Sequence, residues 1–267
     1  MRRPPTVIRS IAGATIGFDI SDEHLAAVEA AFSFVAPTPE VVAPSDATPA
    51  IVYRHEWFRD AMRFLRDDPL RTEEPTPVGT TLDLLVDDLQ LSIALHARDT
   101  VFVHAGAVVW NGRAIVLPGR SRAGKSTLVD ALVRAGATYL SDEYARLTPD
   151  GQVAPFARPL HLRTVDGRRL VEPTSIGVVA AEPAEPGLVV LTRYEADARF
   201  APEVVAPARA ALAVFDNTVV AEVAPEAATE AAARLVGRAV CVRSPRGDVA
   251  DTVRAILDLA ETIEVPV

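Results

Sequence analysis

Residues Pro118 to Thr127 read PGRSRAGKST, and the eight from Gly119 to Ser126 decide how the chain is understood. Glycines at the two ends, followed by Lys125 and Ser126, have the spacing of a phosphate-binding P-loop. Backbone N–H groups can turn inward around an anion, the lysine brings charge to its β/γ end, and the hydroxyl of Ser126 can reach a magnesium ion. The expected phosphate contacts are therefore Gly119, Arg120, Ser121, Arg122, Ala123, Gly124, Lys125, Ser126 and Thr127. The flanks suit this reading. Ala114 to Leu117 is a short apolar run of strand type, and from Lys125 to Ala135 the residues Leu128, Ala131, Leu132 and Ala135 recur at helical intervals, with Gly136 as the stop. A helix starting at the lysine also points its unpaired N–H groups at an anion.

Working outward, the neighbours of this loop predict a mixed sheet. Val101 to Trp110 and Arg113 to Leu117 read as strands joined by Asn111-Gly112, a strong hairpin signal. An antiparallel strand thus comes directly before the loop strand, where a plain doubly wound domain would have a parallel crossover. Thr138 to Leu140 reads as the next strand, ending at Ser141, Asp142 and Glu143. Asp142 then stands one helix and one strand beyond Lys125, where a carboxylate can face a magnesium-bound phosphate. Pro149-Asp150-Gly151 marks a turn.

Before the hairpin, Thr80 and Asp83 have capping-box spacing, and Leu82, Leu85, Val86, Leu89 and Ile93 predict a helix from about Thr81 to Ala97. Val7 to Ile20 predicts one or two strands, Ser21 a helix cap, Ala36 to Pro49 a loop, and Ile51 to Tyr53 a strand. Phe58 to Leu70 is too mixed to assign. The expected organisation is an α+β annex over residues 1–78 and an α/β P-loop core over 79–267. In the C-terminal part, Leu188 to Leu191 and Ala239 to Val242 predict strands, Pro225 to Leu235 a helix, and Ser244 to Asp248 a turn. A final helix carries Val249, Val253, Ile256 and Ala260 on one face.

Composition narrows the partners. Lys and Arg number 27 against 36 Asp and Glu, a net charge of −9 with no basic track, which argues against a nucleic-acid backbone as ligand. Arg120, Arg122 and Lys125 concentrate positive charge in the loop, which suits a small polyanion. Cys241 is the only cysteine, so no intrachain disulfide can form, and its neighbours Val240 and Val242 predict a buried strand position. No apolar signal core follows Arg2 and Arg3 and no run is long enough to span a bilayer, so a cytoplasmic protein without membrane contact is expected.

Taken together, His104-Ala-Gly106, the hairpin, the loop and Ser141-Asp142-Glu143 resemble the HPr kinase/phosphorylase family, in particular shortened relatives found beside natural-product peptide genes. The resemblance runs from about Val101 to Arg163 and is loose beyond. It implies a C-terminal-domain-like fold, ATP and Mg2+ as cofactors, and an oligomer. It further implies His104 as an orienting or proton-handling residue, Lys125 on phosphate, Ser126 on magnesium and Asp142 as the catalytic carboxylate. Glu143 stands where the family has a second aspartate, leaving open which carboxylate serves the metal (Ser126, Asp142 and Glu143 being the candidate ligands) and which the proton. In Pro159 to Arg163 the resemblance implies Arg163 as a second phosphate contact. The family's segment after that arginine is replaced here by Thr164 to Arg168, which speaks against the reverse phosphorylase reaction.

The expected activity is an ATP-dependent phosphotransferase acting on a hydroxyl, serine in the first instance, of a peptide or small protein. Two alternatives stay open: a nucleotide-dependent regulatory or assembly protein without catalysis, and a small-molecule kinase. Arg243 and Arg246 read as surface charge.

Overall fold

A computed structural model of the chain describes residues 5, 7–20, 26, 40–42, 48–58, 61–66, 76–119, 124–164 and 167–263. The chain divides into two compact units, 1–99 and 100–267. The helix expected at the head of the core belongs to the first unit instead, so the division falls after Asp99 and not near Val78.

In the first unit, β1 (Val7–Ile11) and β2 (Ala14–Asp19) form a hairpin, with Ala12 and Gly13 both at positive φ as a tight primed turn requires. The strand β3 (Glu40–Val42) pairs with the outer edge of β1 inside a stretch expected to be loop. An edge strand with unpaired backbone groups recruits such a segment whatever its side chains prefer. The sheet continues through β4 (Ile51–Phe58), parallel to β2, then β5 (Ala61–Arg66) and β6 (Thr76–Pro77). Helix α1 (Val78–His96) begins directly after β6, so Thr80 is already helical and cannot serve as the expected cap. It packs against β2, β5 and β6 and buries Leu85, Leu89 and Ile93, which is why it belongs to this unit. Tyr53 donates to Asp88 Oδ2 at 2.7 Å while its ring stacks on Phe18 at 5.5 Å. Of the helix expected after Ser21 only Ala26 is described, and it is helical; the rest falls outside the described residues.

The second unit is built on β7 (Val101–Trp110) and β8 (Arg113–Pro118), the predicted hairpin. Asn111 and Gly112 turn it with φ of 49° and 78°. Helix α2 (Lys125–Arg134) follows the loop, and Gly136, at φ 108°, ends it. Next come β9 (Thr138–Ser141), β10 (Tyr144–Leu147), β11 (Val153–Ala154) and the hairpin of β12 (Leu160–Thr164) with β13 (Gly167–Val171). The chain then forms β14 (Glu185–Tyr194), β15 (Glu203–Val204), α3 (Pro207–Phe215), α4 (Pro225–Gly237), β16 (Val240–Arg246) and α5 (Val249–Thr262).

The sheet order is β11-β10-β7-β8-β14-β16-β15, with β9 also paired to β7. β14 runs parallel to both β8 and β16, whereas β7 is antiparallel to β8, so the sheet is mixed as expected. Both faces are covered. Along β8, Ala114 and Val116 join the core that holds Ala210, Val214, Ala232 and Leu235. Ile115 and Leu117 face the other core, with Leu128, Leu132, Val253 and Ile256. Burial on both faces explains the unbroken apolar run that opens the site motif. Among the described residues no helix is long and apolar enough to cross a membrane.

One contact sets how closely α2 lies on the sheet. A β-carbon on Gly106 would stand 2.5 Å from Val129 Cγ2. Gly106→Ala should therefore destabilise the protein by roughly 1 to 3 kcal/mol through overpacking, and Val129→Ala in the same chain should recover part of the loss. Urea unfolding of the single and double variants measures both.

Candidate active site

The two halves of β7 have different neighbours on one edge. Val101 to His104 pair with β10, and Ala107 to Val109 pair with β9. The turn between β9 and β10, which carries Asp142 and Glu143, must therefore stand beside Ala105 and Gly106. Ala105 N donates to the Glu143 carbonyl at 3.2 Å, and Ser141 Oγ closes the turn on the Tyr144 carbonyl at 2.6 Å. On the other edge of β7, Gly119 N donates to the His104 carbonyl at 3.0 Å, so the glycine loop starts one residue from the same place. This brings Lys125, Asp142, Glu143 and His104 near one another. Arg120, Ser121, Arg122 and Ala123 lie outside the described residues; Thr127 is exposed on the first turn of α2.

The four groups are electrically coupled. Lys125 is only 7% exposed. Burial lowers its pKa, opposed by the charges of Glu143 and Asp142 and assisted by Arg158. Asp142 is 1% exposed, and burial pushes its carboxyl up to about 6; Arg158, Ser126 and Lys125 pull it down, while Glu143 pushes it further up. Ser126 lies close enough to favour the charged form, yet neither Asp142 oxygen completes a hydrogen bond of normal geometry among the described residues. Glu143 behaves oppositely. Burial would raise it too, but the nearby His104 and the charges of Lys125 and Arg158 outweigh that and hold it below the ordinary range. His104 Nδ1 stands 3.7 Å from Glu143 Oε1, and its ring lies 4.7 Å from that of Tyr144.

Arg158 was not anticipated. It is 6% exposed and acts on Lys125, Asp142 and Glu143 alike. Its segment is tied to β9 by two bonds. Phe156 N donates to the Leu140 carbonyl at 3.0 Å, and Tyr139 Oη to the Arg158 carbonyl at 2.9 Å. In the sequence only the run Phe156-Ala-Arg-Pro159 marks it, and an arginine before a proline carries no signature. Arg163, the cation expected here, lies on β12 opposite Arg168 of β13.

Arg246 also departs from expectation. It lies in strand β16 instead of a turn and is 4% exposed. Its Nη2 donates to the Gly124 carbonyl at 3.1 Å, and a β-carbon on Gly124 would collide with the guanidinium. Gly124 has φ 75°, so backbone and space both require glycine there. Arg243 is exposed, as expected, and Cys241 is buried with its thiol raised to about 11 by burial. Beside this edge a cavity of about 470 Å³ is lined by Pro118, Leu191, Thr192, Arg193, Glu195, Arg243, Ser244 and Pro245.

Magnesium suits the donors present. Among the described residues no three His, Cys, Asp or Glu side chains converge as a cage. Mg2+ is commonly held by one or two carboxylates together with phosphate oxygens and water. Ser126 and a carboxylate of the Asp142-Glu143 turn form such a partial set.

No protein-family model matches the sequence, and no curated protein matches it. Among solved structures the chain is similar to the HPr(Ser) kinase/phosphatase from Coxiella burnetii, at 15% identity and a TM-score of 0.35, over 60% of this chain and 97% of that one. What the described residues define is a mixed α/β unit with a cluster of charged side chains near Gly124, in which Lys125, Asp142 and Arg158 are buried and His104 and Glu143 partly so.

A carboxyl raised from 3.8 to about 6 binds more protons folded than unfolded between those values. Its stabilising contribution is present at low pH and lost as pH climbs through about 6. Asp142→Asn should thus make the ligand-free protein more stable than wild type at pH 8, by on the order of 3 kcal/mol. The gap should shrink as pH falls toward 4. Thermal or urea unfolding across that range measures it.

Proposed function

We propose that the second unit is a nucleoside-triphosphate-dependent phosphotransferase, using ATP with magnesium to phosphorylate a hydroxyl, serine in the first instance, of a peptide or small protein. The observation that carries this reading is the meeting, across strand β7, of the glycine loop ending at the buried Lys125 with the turn that holds two adjacent carboxyls, Asp142 displaced upward and Glu143 downward. Environments that separate the pKa values of neighbouring acids divide their roles.

Glu143 stays charged at neutral pH, held by His104, and with Ser126 would hold magnesium. Bound there, the metal would neutralise charge on the phosphate oxygens. Asp142, near 6 and with both oxygens short of partners, is suited to accept a proton from a hydroxyl close to neutrality. The acceptor oxygen attacks the terminal phosphorus, its proton passes to Asp142, and the bond from that phosphorus to the bridging oxygen breaks to release the diphosphate. Lys125 and Arg158 stand beside the reacting phosphate as fixed positive charge. Such preorganised charge, with alignment, supplies most of the catalysis of phosphoryl transfer.

Lys125→Ala should abolish ATP binding in calorimetry. Asp142→Asn should bind ATP within a few-fold of wild type yet lose label transfer from ATP to encoded candidate peptides by on the order of 100-fold or more. ATP binding that changes the affinity of a partner with no label transferred would assign the chain to the regulatory reading; the absence of both would reject nucleotide dependence.

If Asp142 is the base, kcat/KM should rise with pH through about 6 as its carboxyl deprotonates. A profile flat from pH 5 to 8 would remove Asp142 from that role. Arg158→Gln takes away a charge that opposes the upward displacement, so it should move the rise to higher pH as well as lower the rate.

A further inference from the structure

We propose that Tyr194 and Arg246 form the platform on which the nucleobase of the bound nucleotide stacks; this rests on the nucleotide reading above. Strands β8, β14 and β16 are parallel, so the residues after Pro118, Tyr194 and Arg246 emerge at one edge of the sheet. In the register of β14 and β16, Tyr194 stands directly opposite Arg246. The Arg246 guanidinium lies 5.6 Å from the centre of the Tyr194 ring and donates to the Gly124 carbonyl at 3.1 Å. One buried cation thus ties the tyrosine to the residue before Lys125. Tyr194 itself is 59% exposed, one of few large apolar side chains so placed among the described residues. A ring backed by a cation and open to solvent is a stacking surface that any base can use.

Direction selects this side. The loop strand β8 has β7 on one flank and β14 on the other. His104, Asp142 and Glu143 lie on the β7 flank, so the transferred phosphate faces that way. The nucleoside end of the same chain then points across β14 and β16, toward Tyr194. Open crevices outside the carboxyl ends of parallel strands are the common ligand position in such sheets. Thr192, Glu195 and Ser244, which flank the pair in sequence, also border the cavity at this edge.

Calorimetry on the full chain with magnesium tests the platform, with ATP and inorganic tripolyphosphate as separate probes and wild type, Tyr194→Ala and Tyr194→Phe as proteins. The platform predicts that wild type prefers ATP. Tyr194→Ala should weaken ATP roughly 5- to 100-fold and leave tripolyphosphate within about 2-fold, while Tyr194→Phe keeps wild-type affinity for both. Unchanged ATP affinity in Tyr194→Ala overturns the proposal, as does an equal loss for the two probes, which would mean general damage to the loop. Wild type binding tripolyphosphate as tightly as ATP overturns the platform and spares the phosphate site. Wild type binding neither probe overturns the nucleotide reading, and the platform with it.

Discussion

The site depends on a carboxylate placed where water does not reach. An isolated buried charge is among the costliest features a fold can carry, and it persists only with opposite charge nearby or with a proton taken up. Asp142 meets that constraint partway. Arg158 and Lys125 favour its charged form, but burial outweighs them and leaves the carboxyl near neutrality, ready to change state. Glu143, one residue on, is less deeply buried and has His104 within 3.7 Å as well as the charges of Lys125 and Arg158, which keep it ionised. Adjacent acids of similar chemistry thus differ through depth of burial and neighbours together.

Those neighbours are delivered by an antiparallel strand in an otherwise parallel region. Because β7 borders β8 on one edge and both β9 and β10 on the other, a single strand touches the glycine loop and the acidic turn at once. Gly106, midway along it, lets α2 sit close enough to bring Lys125 to the turn. Tyr139 and Leu140 of β9 then anchor the segment that carries Arg158. The arrangement is a set of backbone bonds made by strands that the core already requires, so positioning the charges needs no separate device.

Much of the frame was legible in local patterns. Asn111-Gly112 admits few conformations other than a primed turn, the spacing of Leu128 and Leu132 admits one helical face, and Gly136 marks where that helix stops. The strand of Val101 to Trp110, the helix at Pro225 and the final helix follow the same short-range rules. Errors cluster where long-range pairing overrides local preference. Glu40 to Val42 is a strand because β1 offers it an edge, and α1 belongs to the first unit because β2, β5 and β6 cover its apolar face. Ser244 to Arg246, read as a turn, extends β16 because β14 beside it continues to Tyr194.

By itself the sequence determined the chemistry on offer: a glycine-bounded lysine loop, a carboxylate pair one strand later, and a histidine upstream, since spacing and residue type depend only on the chain. Which arginines face that chemistry was decided by tertiary structure. Arg158 acts on the acidic turn and Arg246 on the residue before Lys125, each from a part of the chain remote in sequence. An arginine's contacts are set at the far end of a long flexible side chain, and its immediate sequence neighbours carry little information about where that end comes to rest.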